Sequence, residues 1–252
     1  MAEVSARRPR AWMRQTPMQT RGAALLFPLV LVAACGTVPP PAPADTAALP
    51  APGPAAAVMP LEAARYDIEE QASEIRVLVY RDGPLARFGH NHVIIGRVHG
   101  EIRAGNSAAE SGFRLEIPVD SFTIDPPAAR TEEGAEFAAE VSAAARRATR
   151  ENMLGKDGLD GALHPLIRVA SIALVGPSWN PTVTARVTLH GATRDLRFPA
   201  AVFRQGDSLV VVAGFRIRQT DFGIAPFSAL NGGLLTRDAI DLRVRLVAQR
   251  AH

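Results

Sequence analysis

The chain has one cysteine, Cys35, in 252 residues. A lone thiol cannot close an internal disulfide, so no covalent staple holds the fold. Lysine is as scarce: Lys156 is the only one, and arginine supplies the other basic groups. Aromatic residues are few, whereas Gly and Pro number 20 each, a mix that suits many strands separated by turns. The longest apolar run, residues 22–34, falls short of the about 20 residues that a membrane-crossing helix needs. Catalytic signatures are missing too. The sequence holds no G-x-S-x-G, no H-E-x-x-H and no Walker loop, and nothing in it gathers its separate Asp, Ser and His residues. No enzyme is expected.

The formal charge of +3 is produced by the N-terminus, where Arg7, Arg8, Arg10, Arg14 and Arg21 face a single acid, Glu3, within the first 35 residues. Taking these from the totals of 28 basic and 25 acidic residues leaves 23 and 24, a net charge near −1. A nucleic-acid binder needs a net basic face to displace counterions, so that class is not expected.

What is present begins with the Arg-bearing N-terminus and the apolar run Gly22 to Ala34. Together they match the n-region, h-region and small-residue cleavage site of an export signal, and Met18 followed by Arg21 would start a leader of conventional length. Val32-Ala33-Ala34-Cys35 resembles a bacterial lipobox, in which the cysteine thiol carries diacylglycerol. Residues 1–35 are therefore expected to be a lipoprotein signal ending at the acylated Cys35. Gly36 is not the aspartate of an inner-membrane retention signal, so an outer-membrane anchor facing the periplasm is expected. Residues 36–60 are Pro- and Ala-rich and nearly uncharged, which fits a disordered, extended spacer.

From residue 61 the pattern changes to period-two alternation. Ile75, Val77 and Val79 share a face, as do Val183, Ala185, Val187 and Leu189 against Thr182, Thr184, Arg186 and Thr188. Leu209, Val211, Ala213, Phe215 and Ile217 form another such face, and Ile240, Leu242, Val244 and Leu246 a fourth. One apolar and one wet face per strand is the habit of antiparallel sheets. Weaker strands are expected over Tyr66–Glu69, Val93–Ala104, Phe113–Pro118, Arg168–Val175 and Leu196–Phe203. Thr131 to Met153 departs from this pattern: Phe137, Val141, Ala145 and Met153 recur at helical spacing, so one amphipathic helix capped by Thr131 is expected.

Four segments carry a family resemblance. They are Tyr66-Asp67-Ile68, Leu163-His164-Pro165-Leu166-Ile167, Thr188-Leu189-His190-Gly191-Ala192-Thr193-Arg194 and Gln219-Thr220-Asp221-Phe222-Gly223-Ile224. In order and spacing they resemble the YceI-like family over about Ala64 to Ala248. The resemblance implies an all-β, lipocalin-like antiparallel barrel of about eight strands spanning residues 61–252. It also implies a helix at the barrel mouth and an apolar lumen that takes an isoprenoid or another amphiphilic lipid. The chain departs from the family pattern in lacking a His-Ser after the first strand, where it reads Glu69-Glu70-Gln71-Ala72-Ser73, and in carrying Phe88-Gly89-His90-Asn91-His92.

On a strand His90 and His92 would project to the same side. They fit a polar rim, contact with a ligand headgroup, or two ligands of a metal whose third would come from His99, His164, His190 or Asp221. The expected ligand-binding set is His90, His92, Phe137, Val141, Met153, Phe215 and Phe222. Asp221-Phe222-Gly223 reads as a turn in which the Asp accepts local N–H groups, and His190-Gly191 as a hairpin turn. The expected function is to bind an amphiphilic lipid for sequestration or transport, with no cofactor beyond that ligand. The alternative is a periplasmic metal- or haem-associated accessory using His90 and His92. The expected partners are the lipid and, through Cys35, the membrane, with a homodimer left open and no nucleic acid.

Overall fold

The computed structural model describes residues 49–50 and 63–251. The expected leader at 1–35 and most of the spacer at 36–60 lie outside the described residues. In chain order the strands before the helices are β1 (Leu49–Pro50), β2 (Ala64–Ile68), β3 (Glu74–Val79), β4 (Arg81–Asp82), β5 (His92–Gly96), β6 (His99–Ala104), β7 (Gly112–Pro118) and β8 (Thr123–Ile124). The helices α1 (Pro127–Glu132) and α2 (Ala143–Leu154) follow. Then come β9 (Leu166–Val175), β10 (Thr182–Leu189), β11 (Ala192–Gln205), β12 (Ser208–Arg218), β13 (Ser228–Ala229), β14 (Leu234–Thr236) and β15 (Ala239–Arg250).

Every pairing in the main sheet is antiparallel. β9, β10, β11, β12 and β15 form a meander. β15 then pairs with β3 through Asp241–Arg245 and with β2 through Ala248–Arg250, so β2 and β3 are two halves of one wall position. β5 with β6, and β7 with β8, likewise share positions, and β7 pairs with β9 to shut the tube. The result is a closed eight-stranded barrel, which hides sheet edges by joining first to last. The alternating faces read from the sequence point inward: Val183, Ala185, Val187 and Leu189 are buried, as are Leu209, Ala213, Phe215 and Ile217.

Two glycines let the wall bend and pack. A Cβ on Gly96 would stand 2.5 Å from the Phe122 ring, which lies against it. Gly100 has φ +138°, and a Cβ there would meet the Arg114 carbonyl oxygen at 2.1 Å; both contacts are closer than a side chain permits.

One seam is shorter than its strands. The β11–β12 ladder ends at Ala200–Ala213, and the next pair in register would set Pro199, which has no N–H, opposite Gly214. Beyond that point β1 adds to the freed edge of β11 at Asp195 and Arg194. Inside the seam the rings of Phe198 and Phe215 stack with centroids 4.1 Å apart.

The two barrel ends differ. Strand directions put the short connections 105–111, 176–181 and 206–207 at one end and the long excursions 80–91, 125–165 and 219–238 at the other. All these ladders are internal to Leu49–Arg250, and the compact unit runs from Pro41 to His252.

The helical segment differs from its sequence reading. Instead of one helix from Thr131 to Met153, α1 ends at Glu132, Gly134 takes φ +81°, and a single 3-10 turn covers Ala135–Phe137. α2 then starts at Ser142, whose Oγ accepts the Ala145 N–H at 3.1 Å. Thr131 caps nothing: its hydroxyl donates to the Pro127 carbonyl. Helical spacing in an Ala-rich stretch overrode the signal of Gly134, which the left-handed turn needs.

Candidate functional site

The lumen is an open cavity of about 890 Å³. Ile75, Val77 and Val79 of β3, Ile167 and Val169 of β9, Val211, Ala213 and Phe215 of β12, and Ile240, Leu242 and Val244 of β15 line it. Phe113, Leu115 and Ile117 of β7 complete the wall. Several of these inward residues, among them Val77, Val169, Val211 and Val244, are only partly buried. They pack against the buried clusters of the wall and also border the cavity. Charged lining groups occur only at the ends, as Arg81, Glu151, Lys156, Asp157 and Arg204. The volume lies within the ~300–1,000 Å³ range of small-molecule sites.

α2 stands at the end of the long excursions and turns Ala145, Ala148, Thr149, Asn152 and Met153 toward the cavity. None of its residues is fully buried, so this is a loosely seated lid. It is tethered by Arg150, whose guanidinium donates to the Phe122 carbonyl and, at 2.8 Å, to that of Asp120.

His90 and His92 both line this mouth, with ring centroids 6.4 Å apart. Their surroundings differ. His92 Nδ1 meets Asp125 Oδ2 at 2.6 Å, which leaves Nε2 toward the cavity. Asp125 is fully buried, sits at φ +51°, and also accepts from the Val93 N–H at 2.9 Å and from Arg130 Nη1 at 2.5 Å. Arg130 in turn donates to the carbonyls of Asn91 and Ala139. Burial alone would raise the Asp125 carboxyl, but hydrogen bonds from His92, Val93 and Arg130 outweigh it and hold the pKa below the usual carboxylate value. His90 makes no hydrogen bond among the described residues. Burial, reinforced by His92 and Arg130, lowers its pKa, so it is a neutral imidazole at pH 7. Its neighbours are pinned: Arg81 N–H donates to Asn91 Oδ1, Arg81 Nη1 to the Gly89 carbonyl, and Asn91 Nδ2 to the Glu136 carbonyl. The mouth therefore presents one unpartnered donor–acceptor ring on a fixed loop.

The structure brings His90, His92, Met153 and Phe215 together around one cavity. Phe137, Val141 and Phe222 are corrected to positions off its lining. Phe137 is buried on the outer wall with Leu78, Val93 and Ala129, because the chain reverses at Gly134 and carries it past the barrel rim. Val141 is buried just before the Ser142 cap. Phe222 is fully buried in the 3-10 turn after β12, packed with the seam-side core. In that turn Gly223 has φ +75°, and the carboxylate accepting the Thr220 N–H is Asp238, not Asp221. His190 and Gly191 both take positive φ, as a tight hairpin turn requires.

The third metal ligand does not materialise. His99 Nδ1 is bound to Glu70 at 2.5 Å, and His164 packs edge-on against His190 at 5.4 Å. Among the described residues no cluster of three or more His, Cys, Asp or Glu side chains can hold a metal. Sequence reasoning missed Asp125 and Arg130. The available signal was Asp125-Pro126-Pro127, an acid ahead of a proline-led helix start.

A closed antiparallel meander around an apolar bore with a helical lid defines a lipocalin-like barrel. The chain belongs to the family of the YceI-like domain, whose model matches residues 66–248. Among solved structures it is similar to Burkholderia cenocepacia BcnA, at 15% identity and TM-score 0.50, over 73% of this chain and 100% of that one. It is also similar to a polyisoprenoid binding domain from Saccharophagus degradans implicated in plant cell wall breakdown (12% identity, TM-score 0.46, 74% of this chain and 98% of that one). A third is the Campylobacter jejuni YceI protein, at 13% identity and TM-score 0.45, over 62% of this chain and 82% of that one. At these identities the likeness concerns the fold alone. No curated protein matches the chain.

Proposed function

We propose that this protein binds an amphiphile with a long apolar tail inside the barrel, to sequester or carry it, and that Cys35 holds it by a lipid on the periplasmic side of the outer membrane. The observation that carries the reading is the bore itself: about 890 Å³ of open, apolar-walled space with its charges confined to the ends. A tail entering it leaves water at a gain of about 0.8 kcal/mol per buried methylene, before the cost of ordering. Polyisoprenoid chains, named for the Saccharophagus degradans domain, are one such tail. At the mouth, neutral His90 and the Nε2 of His92 offer hydrogen bonds to an uncharged or weakly polar head. The protein acts by binding alone, with no covalent step.

Native mass spectrometry of the protein purified from its cells, followed by lipid extraction, tests this. The expected result is an adduct of stoichiometric amphiphile. Ala213→Trp, which pushes a bulky ring into the bore, should also displace a fluorescent long-chain fatty acid. A bare polypeptide mass, together with a chain that takes up no such probe, would end the reading. The anchor is tested separately: intact mass should show diacylglycerol on Cys35, and Cys35→Ser should move the protein to the soluble fraction.

A further inference from the structure

We infer that a basic cleft on the far side of α2 is a docking surface for an anionic, phosphate-bearing bilayer, and that it sets the barrel mouth against that bilayer. The cleft lies between the barrel wall and the lid. Arg146, Arg147 and Arg150 of α2 face Arg97, which lies in the bend between β5 and β6, across an apolar floor that includes Phe122 and Ile124. Asp120 is the only carboxylate in the lining. Among the described residues none of the four arginines makes an ion pair, although ion pairs are frequent elsewhere on the outer wall. Arg150 is held by the two carbonyls described above, and the backbone N–H of Arg97 donates to Ser121 Oγ at 3.1 Å, so both sides of the cleft are fixed. His99, also in the lining, is already engaged by Glu70.

The charge pattern chooses the partner. Guanidinium groups are planar forks suited to phosphate oxygens. A row of them spread along a helix and an adjoining wall matches a surface of repeated phosphates better than one small anion. The placement supplies the purpose. α2 shows its small residues Ala145, Ala148 and Thr149 to the cavity and its arginines to the cleft. A bilayer that holds the arginines therefore also meets the lid. That purpose rests on the carrier reading; the binding does not.

Vesicle flotation of the purified Cys35→Ser protein, which has no thiol to acylate, tests it, using phosphatidylcholine vesicles with and without phosphatidylglycerol. The expected result is attachment only when phosphatidylglycerol is present, weakened by added salt. Each arginine neutralised should weaken attachment roughly fivefold, and Arg146→Gln with Arg147→Gln roughly twentyfold. Arg97→Gln, on the other wall, should act in the same direction. Uptake of the long-chain probe by the bore should be unchanged in these variants, which shows that they are folded. Equal flotation on both vesicle types overturns the inference, as does attachment indifferent to the three substitutions. Loss of attachment to inorganic phosphate at constant ionic strength also overturns it, because it marks a site for a soluble anion. Arginine-dependent attachment by a chain whose bore takes no probe upholds the docking surface and removes the carrier reading.

Discussion

Strand β3 has one face in the bore and the other beneath α1, and the two faces obey different rules. On the inner face Ile75, Val77 and Val79 are only partly buried and border open space. On the outer face Leu78 is 1% exposed and packs with Val93, Ala129 and Phe137. Beside it Arg76 bonds Glu74, Glu132 and Glu133, and Glu133 also takes Arg243 at 2.7 Å. Tyr80 donates to Asp241 at 2.9 Å, and burial together with that carboxylate pushes its phenol pKa up. The apolar residues of a protein interior normally pack to crystal density. At β3 the outer side is closed by side chains, whereas the inner residues pack against the buried cluster and also border the cavity. The inner layer carries both packing and binding capacity, and the outer layer packing alone.

The sharpest way to break that contrast is in the buried ionic cluster that joins the outer layer to the mouth. Arg130→Ala strands Asp125 with one cation fewer in a site closed to water, and should cost about 3–5 kcal/mol in urea unfolding. Next comes packing. Leu78→Ala should cost about 2–5 kcal/mol, whereas Val77→Ala, one residue along and facing the void, should cost well under half as much. Equal losses would mean that the bore is filled in solution. Filling the bore by Ala213→Trp should abolish probe uptake while shifting the unfolding midpoint little, since the new ring enters space that is already open.

The smallest effect concerns pH. His90 has a folded pKa below its ordinary 6.5, so the unfolded chain takes up its proton first, and stability falls as pH drops from about 6.5 toward the folded value. Asp125, depressed as well, contributes stability above its ordinary 3.8 that is lost as pH falls through its lower folded value. His90→Phe should flatten the first of these windows and leave the second. An unfolding free energy measured against pH that is identical for the two proteins would count against the half-buried, neutral imidazole.

The barrel was legible because its strands alternate strongly. The faces through Val183, Leu209 and Ile240 fall on strands that bury them, and the weak candidate Val93–Ala104 proved to be β5 and β6, divided at Arg97-Val98. Half of the mouth was legible too, in the paired spacing of His90 and His92. What escaped were contacts made across long sequence separations. Asp125 reaches His92 over 33 residues, and no local periodicity encodes that. Phe137 and Val141 were misplaced because helical spacing says which residues share a face but not which side of the barrel that face meets. Phe222 was misread for a related reason: a turn sequence fixes the backbone, not the layer that its aromatic ring enters.

The unequal ends of the barrel carry a consequence for how such a protein can diversify. Residues 80–91, 125–165 and 219–238 leave the tube at one end, whereas the opposite end is closed by brief hairpins. Insertions or substitutions in those three excursions can remodel selectivity at the entrance while every rung of the ladder stays in register. Over generations the wall is thus a constant chassis and the rim its exchangeable fitting.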